Sequence, residues 1–166
     1  QGMQEIDAWI AKYPADYRCS AVMAALRIVQ NEHGYLTQQL MDSVAHYLAM
    51  QPISVYEVAS FYSMYDLKPV GQIKIDVCTN ISCMLCGSDQ LVAHLEKKLN
   101  IRMGQTSADR MFTLKEVECL GACCGAPAIQ IGHVYYENLN PDKLDKILDE
   151  IKTKLKNAKR LENASI

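Results

Sequence analysis

Two closely spaced pairs of cysteines are the residues of this chain that could do chemistry. Cys78 and Cys83 enclose four residues, and Cys119 and Cys123 enclose three. Four thiolates that converge on one point form either a metal site or two disulfides. Six of the seven cysteines fall between residues 78 and 124, and residues 1–10 show no secretion signal. Clustered cysteines without export favour metal binding in a reducing compartment over a disulfide framework.

Structural zinc is the first alternative for these thiols. Its ligand pairs usually enclose two to four residues, so both gaps are allowed. Small zinc modules, however, use the metal in place of a core, whereas these pairs end strand-like segments of a domain that has a core of its own. A [2Fe–2S] core is wider than one ion and takes two thiolate pairs, one per iron. The pattern therefore favours iron–sulfur, with zinc as the alternative.

Glycine within the second pair supports the same interpretation. Gly121 lies between Cys119 and Cys123. Because it has no side chain, its backbone can approach a cluster and turn an N–H group toward sulfur. Such hydrogen bonds stabilise an anionic cluster and adjust its potential.

Spacing alone leaves the ligand set open. Cys78, Cys83 and Cys86 also match the plant-type ferredoxin spacing, which has a distant fourth cysteine. Cys123 and Cys124 are adjacent, so their side chains should diverge and one of them is expected to face the cluster. The seventh cysteine, Cys19, is predicted to be a buried structural thiol on an apolar helix face.

The elements that must position these cysteines follow a helical first part. Apolar residues recur at helical spacing in three stretches, and Pro14 and Gly34 separate these stretches from one another. Thr37 is a candidate N-cap for the third stretch. Pro52 is expected to break the chain, and Ser54 to Glu57 form a capping box that predicts the start of a fourth helix. The aromatic segment Phe61 to Tyr65 is predicted to be core or an interdomain seam, with a subunit contact as the functional alternative.

From about residue 68 the pattern changes to a mixture of strands and helices. Alternating residues predict strands at 73–77 and 112–117, each running into a cysteine pair. Gly132-His133 is a candidate hairpin turn between strands at 128–131 and 134–136. Helices are predicted over 88–99 and from Pro141. The order is β-α-β-β-β-α, an α+β chain whose second part is an α/β sandwich.

Composition limits the function further. The chain has 166 residues and a net charge of −2, from 17 basic and 19 acidic residues. This balance argues against a nucleic-acid groove or an anionic membrane surface as the main partner. No stretch is apolar enough for a membrane span. Dinucleotide-binding, Walker and activated-nucleophile motifs are not found, so no substrate site is expected on this chain alone.

Several segments together resemble the small iron–sulfur subunit (the E type) of NADH:quinone oxidoreductase, respiratory complex I. The matching residues are Phe61-Tyr-Ser-Met-Tyr65, Val77-Cys-Thr79 with Cys83, Leu95 to Ile101, Gly104-Gln-Thr106, and Cys119-Leu-Gly-Ala-Cys123 with Gly125-Ala-Pro127. The resemblance covers roughly residues 15 to 156. It implies a thioredoxin-like [2Fe–2S] domain, over 68–156, behind an N-terminal helical domain, over 1–67. Residues 157–166 show no pattern and are predicted to be a loose tail or a docking segment.

The resemblance also implies a role. It assigns the [2Fe–2S] cluster to Cys78, Cys83, Cys119 and Cys123, and leaves Cys86 and Cys124 as extra thiols. It places FMN and NADH on a larger partner subunit, with a large iron–sulfur subunit as a further partner. The chain would exchange single electrons with that flavin in the peripheral arm, on the cytoplasmic side in bacteria or the matrix side in mitochondria. Similar subunits serve NAD-linked hydrogenases and formate dehydrogenases, which are the alternative parent complexes.

Overall fold

The structure is a computed structural model that describes the backbone of residues 2–163 and the side chains of residues 2–155 and 157. The chain divides into two units, one ending at Val70 and the other beginning at Gly71. The first unit contains helices and the second contains the sheet, so the predicted fold class is confirmed.

The first unit consists of four α-helices and a 3-10 segment. They are α1 (Gly2–Ile10), the 3-10 segment (Ala15–Ala21), α2 (Val22–His33), α3 (Gln38–Leu48) and α4 (Pro52–Phe61). Gly34 ends α2 in the left-handed conformation, with φ of 83°, and the Thr37 hydroxyl accepts the N–H of Leu40 at the start of α3. Both predicted signals are confirmed.

Two local predictions in this unit are wrong. Helix α4 begins at Pro52, not at a Ser54 capping box, and its N-cap Gln51 makes no side-chain cap. Proline suits the first helical position because its fixed φ is helical and its missing N–H would have no partner there. Cys19 is exposed in the 3-10 segment rather than buried on a helix face. The 3-10 turn rotates its side chains out of the α-helical register on which that prediction depended.

The second unit is a four-stranded sheet with three α-helices. In chain order it contains β1 (Ile73–Cys78), α5 (Ile81–Leu85), α6 (Ser88–Leu99), β2 (Phe112–Val117), a 3-10 segment (Cys123–Gly125), β3 (Ile129–Ile131), β4 (Val134–Tyr136) and α7 (Pro141–Asn163). The strand order is β2-β1-β3-β4. Strand β1 runs parallel to β2 and antiparallel to β3, and β3 and β4 form the predicted hairpin.

A single apolar core fixes these strands. It contains buried residues of β1, β2, β3 and both long helices: Ile75, Val77, Leu91, Leu95, Leu114, Ile129, Leu144 and Leu148. Helix α7 continues to Asn163 and so includes 157–163 of the segment predicted to be a tail. The last three residues of that segment, 164–166, lie outside the described residues.

Candidate metal centre

The first cysteine pair surrounds the start of a short helix. Cys78 is the last residue of β1 and Cys83 is the middle residue of α5. The Asn80 side chain caps α5 by accepting the N–H of Ile81 at 2.8 Å. This turn brings Cys83 back toward Cys78. Helix α5 was not predicted from the sequence, although Asn80 is a standard cap residue that could have indicated it.

Both thiols of this pair are buried. Cys78 and Cys83 are each 3% exposed and form a small apolar cluster with Ala128. Partly buried side chains of the second loop, Leu120 and Ala122, pack against it. The first pair is therefore held by core packing as well as by the backbone.

The second pair follows β2: Cys119 lies in a loop, and Cys123 begins the 3-10 segment that comes after it. Cys119 and Cys123 are exposed, and their Sγ atoms are 4.0 Å apart. Two thiolates on one tetrahedral ion with metal–sulfur bonds of about 2.3 Å would be about 3.8 Å apart. The pair is therefore spaced to share one metal ion.

Gly121 turns its N–H group toward sulfur, as predicted. Its φ is 74°, in the left-handed region, and its N–H donates to Cys119 Sγ at 3.3 Å. A residue with a Cβ rarely adopts this conformation. The glycine therefore lets the loop turn an N–H group toward sulfur.

Parallel pairing of β1 and β2 brings the two loops to the same edge of the sheet. Cys78 pairs in register with Val117, two residues before Cys119. The Cys83 and Cys119 side chains consequently act on the Cys78 thiol and lower its pKa, and the charge of Cys123 acts on Cys83. The four predicted ligands thus lie together, although they come from separate parts of the chain.

The surroundings change the pKa values of the two buried thiols in opposite directions. Burial raises the pKa of Cys78, but N–H donation from Leu120 and Asn80 and the neighbouring Cys83 and Cys119 side chains outweigh it, so its pKa is lower than usual. Burial raises the pKa of Cys83, and the neighbouring Cys78 adds to this rise although the Ala128 N–H opposes it. Removing a proton from one thiol therefore disfavours removing it from the next, as expected of adjacent anionic ligands.

The remaining three cysteines are all exposed. Cys86 and Cys124 are exposed, and no hydrogen bond joins either side chain to the other four within the described residues. Among the described side chains, no three His, Cys, Asp or Glu residues surround one point closely enough for a single metal ion. Two contacting pairs with N–H donors to sulfur nevertheless match the donor set of a two-iron core, which takes one pair per iron.

Comparison with known proteins agrees with this chemistry. Residues 6–152 match the family model described as thioredoxin-like [2Fe–2S] ferredoxin. An E-type subunit of the NADH-quinone oxidoreductase of Rhizobium meliloti (strain 1021) is 46% identical over 90% of this chain and 88% of its own length. The E-type subunit of the NADH-quinone oxidoreductase of Rickettsia felis is 44% identical over 89% of each chain.

A solved structure supports the fold. The NAD+-reducing [NiFe]-hydrogenase in its air-oxidized state aligns with a TM-score of 0.66 and 22% identity, over 78% of this chain and 23% of that one. The family match over most of the chain and the two oxidoreductase relatives agree with the resemblance found in the cysteine segments. This chain therefore belongs to the thioredoxin-like [2Fe–2S] ferredoxin family, whose cofactor is a [2Fe–2S] cluster.

Proposed function

We infer that this chain is the electron-transfer subunit of an NADH:quinone oxidoreductase and that Cys78, Cys83, Cys119 and Cys123 hold its [2Fe–2S] cluster. The observation that carries this proposal is the meeting of the two cysteine pairs at the ends of two adjacent parallel strands. The two NADH-quinone oxidoreductase relatives support the parent complex, because they match over nearly their whole length.

When bound, a [2Fe–2S] cluster supplies one-electron chemistry, with a net charge of about −2 when oxidised and about −3 when reduced. The protein must make that charge tolerable. Backbone N–H groups of Gly121, Leu120, Asn80 and Ala128 donate to cysteine sulfur. Core packing around the first pair excludes water from one side of the site. These residues hold the thiolates in place without taking part in bond making or breaking.

A larger subunit that carries FMN and NADH is the partner we propose for the second unit. The exposed thiols Cys119 and Cys123 give that partner a short path to the site. Helix α5, which carries Cys83, has three exposed apolar side chains, Ile81, Met84 and Leu85, which are 68%, 47% and 78% exposed. Exposed apolar side chains next to a redox site suit a protein partner that excludes water.

The helical unit offers a second apolar surface for the same complex. Phe61 is 80% exposed, and Tyr62, Met64 and Leu67 nearby are also exposed, whereas Tyr65 is buried in the helical core. Large exposed aromatic side chains are enriched at protein interfaces. We propose that this unit clamps the flavin subunit, with the large iron–sulfur subunit as a further neighbour.

The proposed location is the peripheral arm of the complex, on the cytoplasmic side in bacteria or the matrix side in mitochondria. None of the helices within residues 2–163 is long and apolar enough to cross a membrane. Contact with the membrane would therefore be through other subunits. Through them the complex would couple electron transfer to proton translocation.

An NAD-linked hydrogenase or formate dehydrogenase is the alternative parent complex. The hydrogenase structure shares the fold at 22% identity, which does not distinguish parent complexes. The two NADH-quinone oxidoreductase relatives, at 46% and 44% identity, favour the respiratory complex.

Purification of the native complex tests this proposal. A pull-down from native membranes should bring down a flavin-containing subunit and NADH–quinone reductase activity, and the chain itself should be brown with about two irons per chain and an EPR signal after reduction. A colourless chain with one zinc would contradict the cluster. A flavin partner with hydrogenase or formate dehydrogenase activity would contradict the parent complex while leaving the cluster in place.

A further inference from the structure

A hydrogen bond between the Thr79 and Glu116 side chains links the two segments that carry the cysteine pairs. The Thr79 hydroxyl donates to Glu116 Oε1 at 2.5 Å. Thr79 directly follows Cys78, and Glu116 lies three residues before Cys119. This distance is at the short end for a hydroxyl and a carboxylate, and such charge-assisted bonds are roughly twice as strong as neutral ones.

The bond lies where the backbone pairing of β1 and β2 ends. Val77 pairs with Glu116, and Cys78 pairs with Val117 as the last pair of the register. Beyond this point the chain separates into two segments, which carry the other three cysteines, Cys83, Cys119 and Cys123. A side-chain link at the end of the pairing therefore limits how far the loops can move apart.

The same bond holds a negative charge at one place near the site. Reduction adds negative charge to the thiolate-bound centre, so a fixed carboxylate nearby disfavours the reduced form. Glu116 is exposed, and without the bond its side chain would spread into solvent, where its effect is screened. The Thr79 hydroxyl thus determines how strongly the Glu116 charge acts.

We propose that Thr79 and Glu116 are a positioning pair that sets the spacing of the two cysteine loops and keeps the midpoint potential of the cluster low. The inference rests on the proposed ligand set. It assigns a role to two residues outside that set, and neither of them contacts iron.

Redox titration of the purified full chain, monitored by EPR, tests this pair. Glu116→Gln keeps an acceptor for Thr79 and removes the charge, so at a fixed applied potential the ratio of reduced to oxidised cluster should rise between about twofold and tenfold. A tenfold rise corresponds to 59 mV for a one-electron couple. Thr79→Val should give a smaller rise, Thr79→Ser should keep the wild-type value, and Glu150→Gln, an exposed carboxylate on α7, should change nothing.

A double variant separates positioning from charge. In the Glu116→Gln background, Thr79→Val should have little further effect on the potential, because the charge it positions is gone. Potentials equal to wild type in Glu116→Gln and Thr79→Val would overturn the proposal, as would a lower potential in either. Loss of iron in Thr79→Val with an unchanged potential in the remaining cluster would also overturn it. A wild-type chain with no [2Fe–2S] EPR signal would instead contradict the proposed function.

Discussion

The two cysteine pairs place the same side chain in opposite surroundings. Cys78 and Cys83 are each 3% exposed and are packed against Ala128 in the interior. Cys119 and Cys123 are exposed on a loop, where a left-handed glycine and its N–H donor determine the conformation. Core packing positions the first pair, and backbone geometry positions the second.

Because of this difference, we expect the two pairs to contribute differently to one site. If the proposed ligands are correct, the buried pair would give the cluster a fixed attachment, because moving either thiol would disturb the packed core. An exposed pair keeps the other side of the site open to a partner, although it then depends on a few hydrogen bonds. The following experiments test that contrast, in order of decreasing expected effect.

Serine substitution should give the largest effect. Replacing any of the four proposed ligands should remove most of the iron; the variants are Cys78→Ser, Cys83→Ser, Cys119→Ser and Cys123→Ser. The controls Cys86→Ser and Cys124→Ser should retain the wild-type iron-to-protein ratio. In the buried pair, Cys83→Ser should also lower the free energy of unfolding by about 1–3 kcal/mol, because a hydroxyl is more costly than a thiol to bury in an apolar site. Iron analysis and urea unfolding measure both effects.

Either of two results would contradict the proposed ligands or the proposed difference between the buried and the exposed pair. Iron loss in Cys86→Ser would show that the ligand set is wrong. Equal destabilisation in Cys83→Ser and Cys119→Ser would show that burial does not distinguish the pairs.

Thiol accessibility should give the next largest effect. In chain stripped of iron, Cys119 and Cys123 should react with iodoacetamide at least about tenfold faster than Cys78 and Cys83, because each 1.4 kcal/mol needed for local opening slows reaction about tenfold. Exposed Cys86 serves as the reference. Peptide mass spectrometry over time measures the rates, and modification of Cys78 as fast as Cys86 would contradict the prediction.

Replacing Gly121 tests what holds the exposed pair. Gly121→Ala should cost about 1–2 kcal/mol of stability, because its φ is 74° and alanine disfavours that conformation. Gly104, with φ of 83° and open space around it, is a matched control outside the cysteine loops. Thermal unfolding should show similar losses for both variants, but iron retention should fall in Gly121→Ala alone. Equal iron retention would mean that the Gly121 N–H does not support the site.

The smallest effect is expected at the turn that leads into β2. The Ser107 hydroxyl and the Met111 N–H donate to the Asp109 carboxylate and hold its pKa below the usual range. A lowered pKa in the folded state stabilises the fold above the ordinary aspartate pKa, and the benefit is lost as pH falls through the lower folded value. Asp109→Asn should therefore lower Tm slightly, by roughly 3 °C at most.

The pH dependence of this variant provides a check. The difference in Tm between wild type and Asp109→Asn should stay constant from about pH 8 to about pH 5, because Asp109 remains charged throughout. Circular dichroism measures it. A difference that shrinks within this range would contradict the lowered pKa.

Elements with long, regular patterns could be predicted from the sequence. Helix α6, the β3–β4 hairpin and the cap at Thr37 were indicated by apolar spacing and turn residues, and the structure confirms them. Helix α5 was missed because five residues are too few to show a helical period. The start of α4 was misplaced because two helix-start signals, Pro52 and the Ser54 capping box, lie close together, and the helix begins at Pro52.

Some features of the candidate site could likewise be predicted from the sequence, and others could not. The cysteine pairs and the N–H donor of Gly121 could be predicted, because each depends on residues that are close together in the sequence. The Thr79–Glu116 bond could not be predicted, because it depends on the register of two strands whose residues are distant in sequence. The contrast in burial between the pairs likewise depends on packing by Ala128 and Leu120 from other segments.

The parallel pairing of β1 and β2 has a consequence for how the protein is made. With the proposed ligands, the metal centre cross-links two strands and closes a loop of roughly 40 residues, which restricts the unfolded chain as a disulfide would. Both strands must be synthesised and aligned before all four sulfurs are available. Iron loading should therefore follow folding of the sheet. Chains truncated before residue 119 should be unable to bind the cluster, because they lack two of the four proposed ligands.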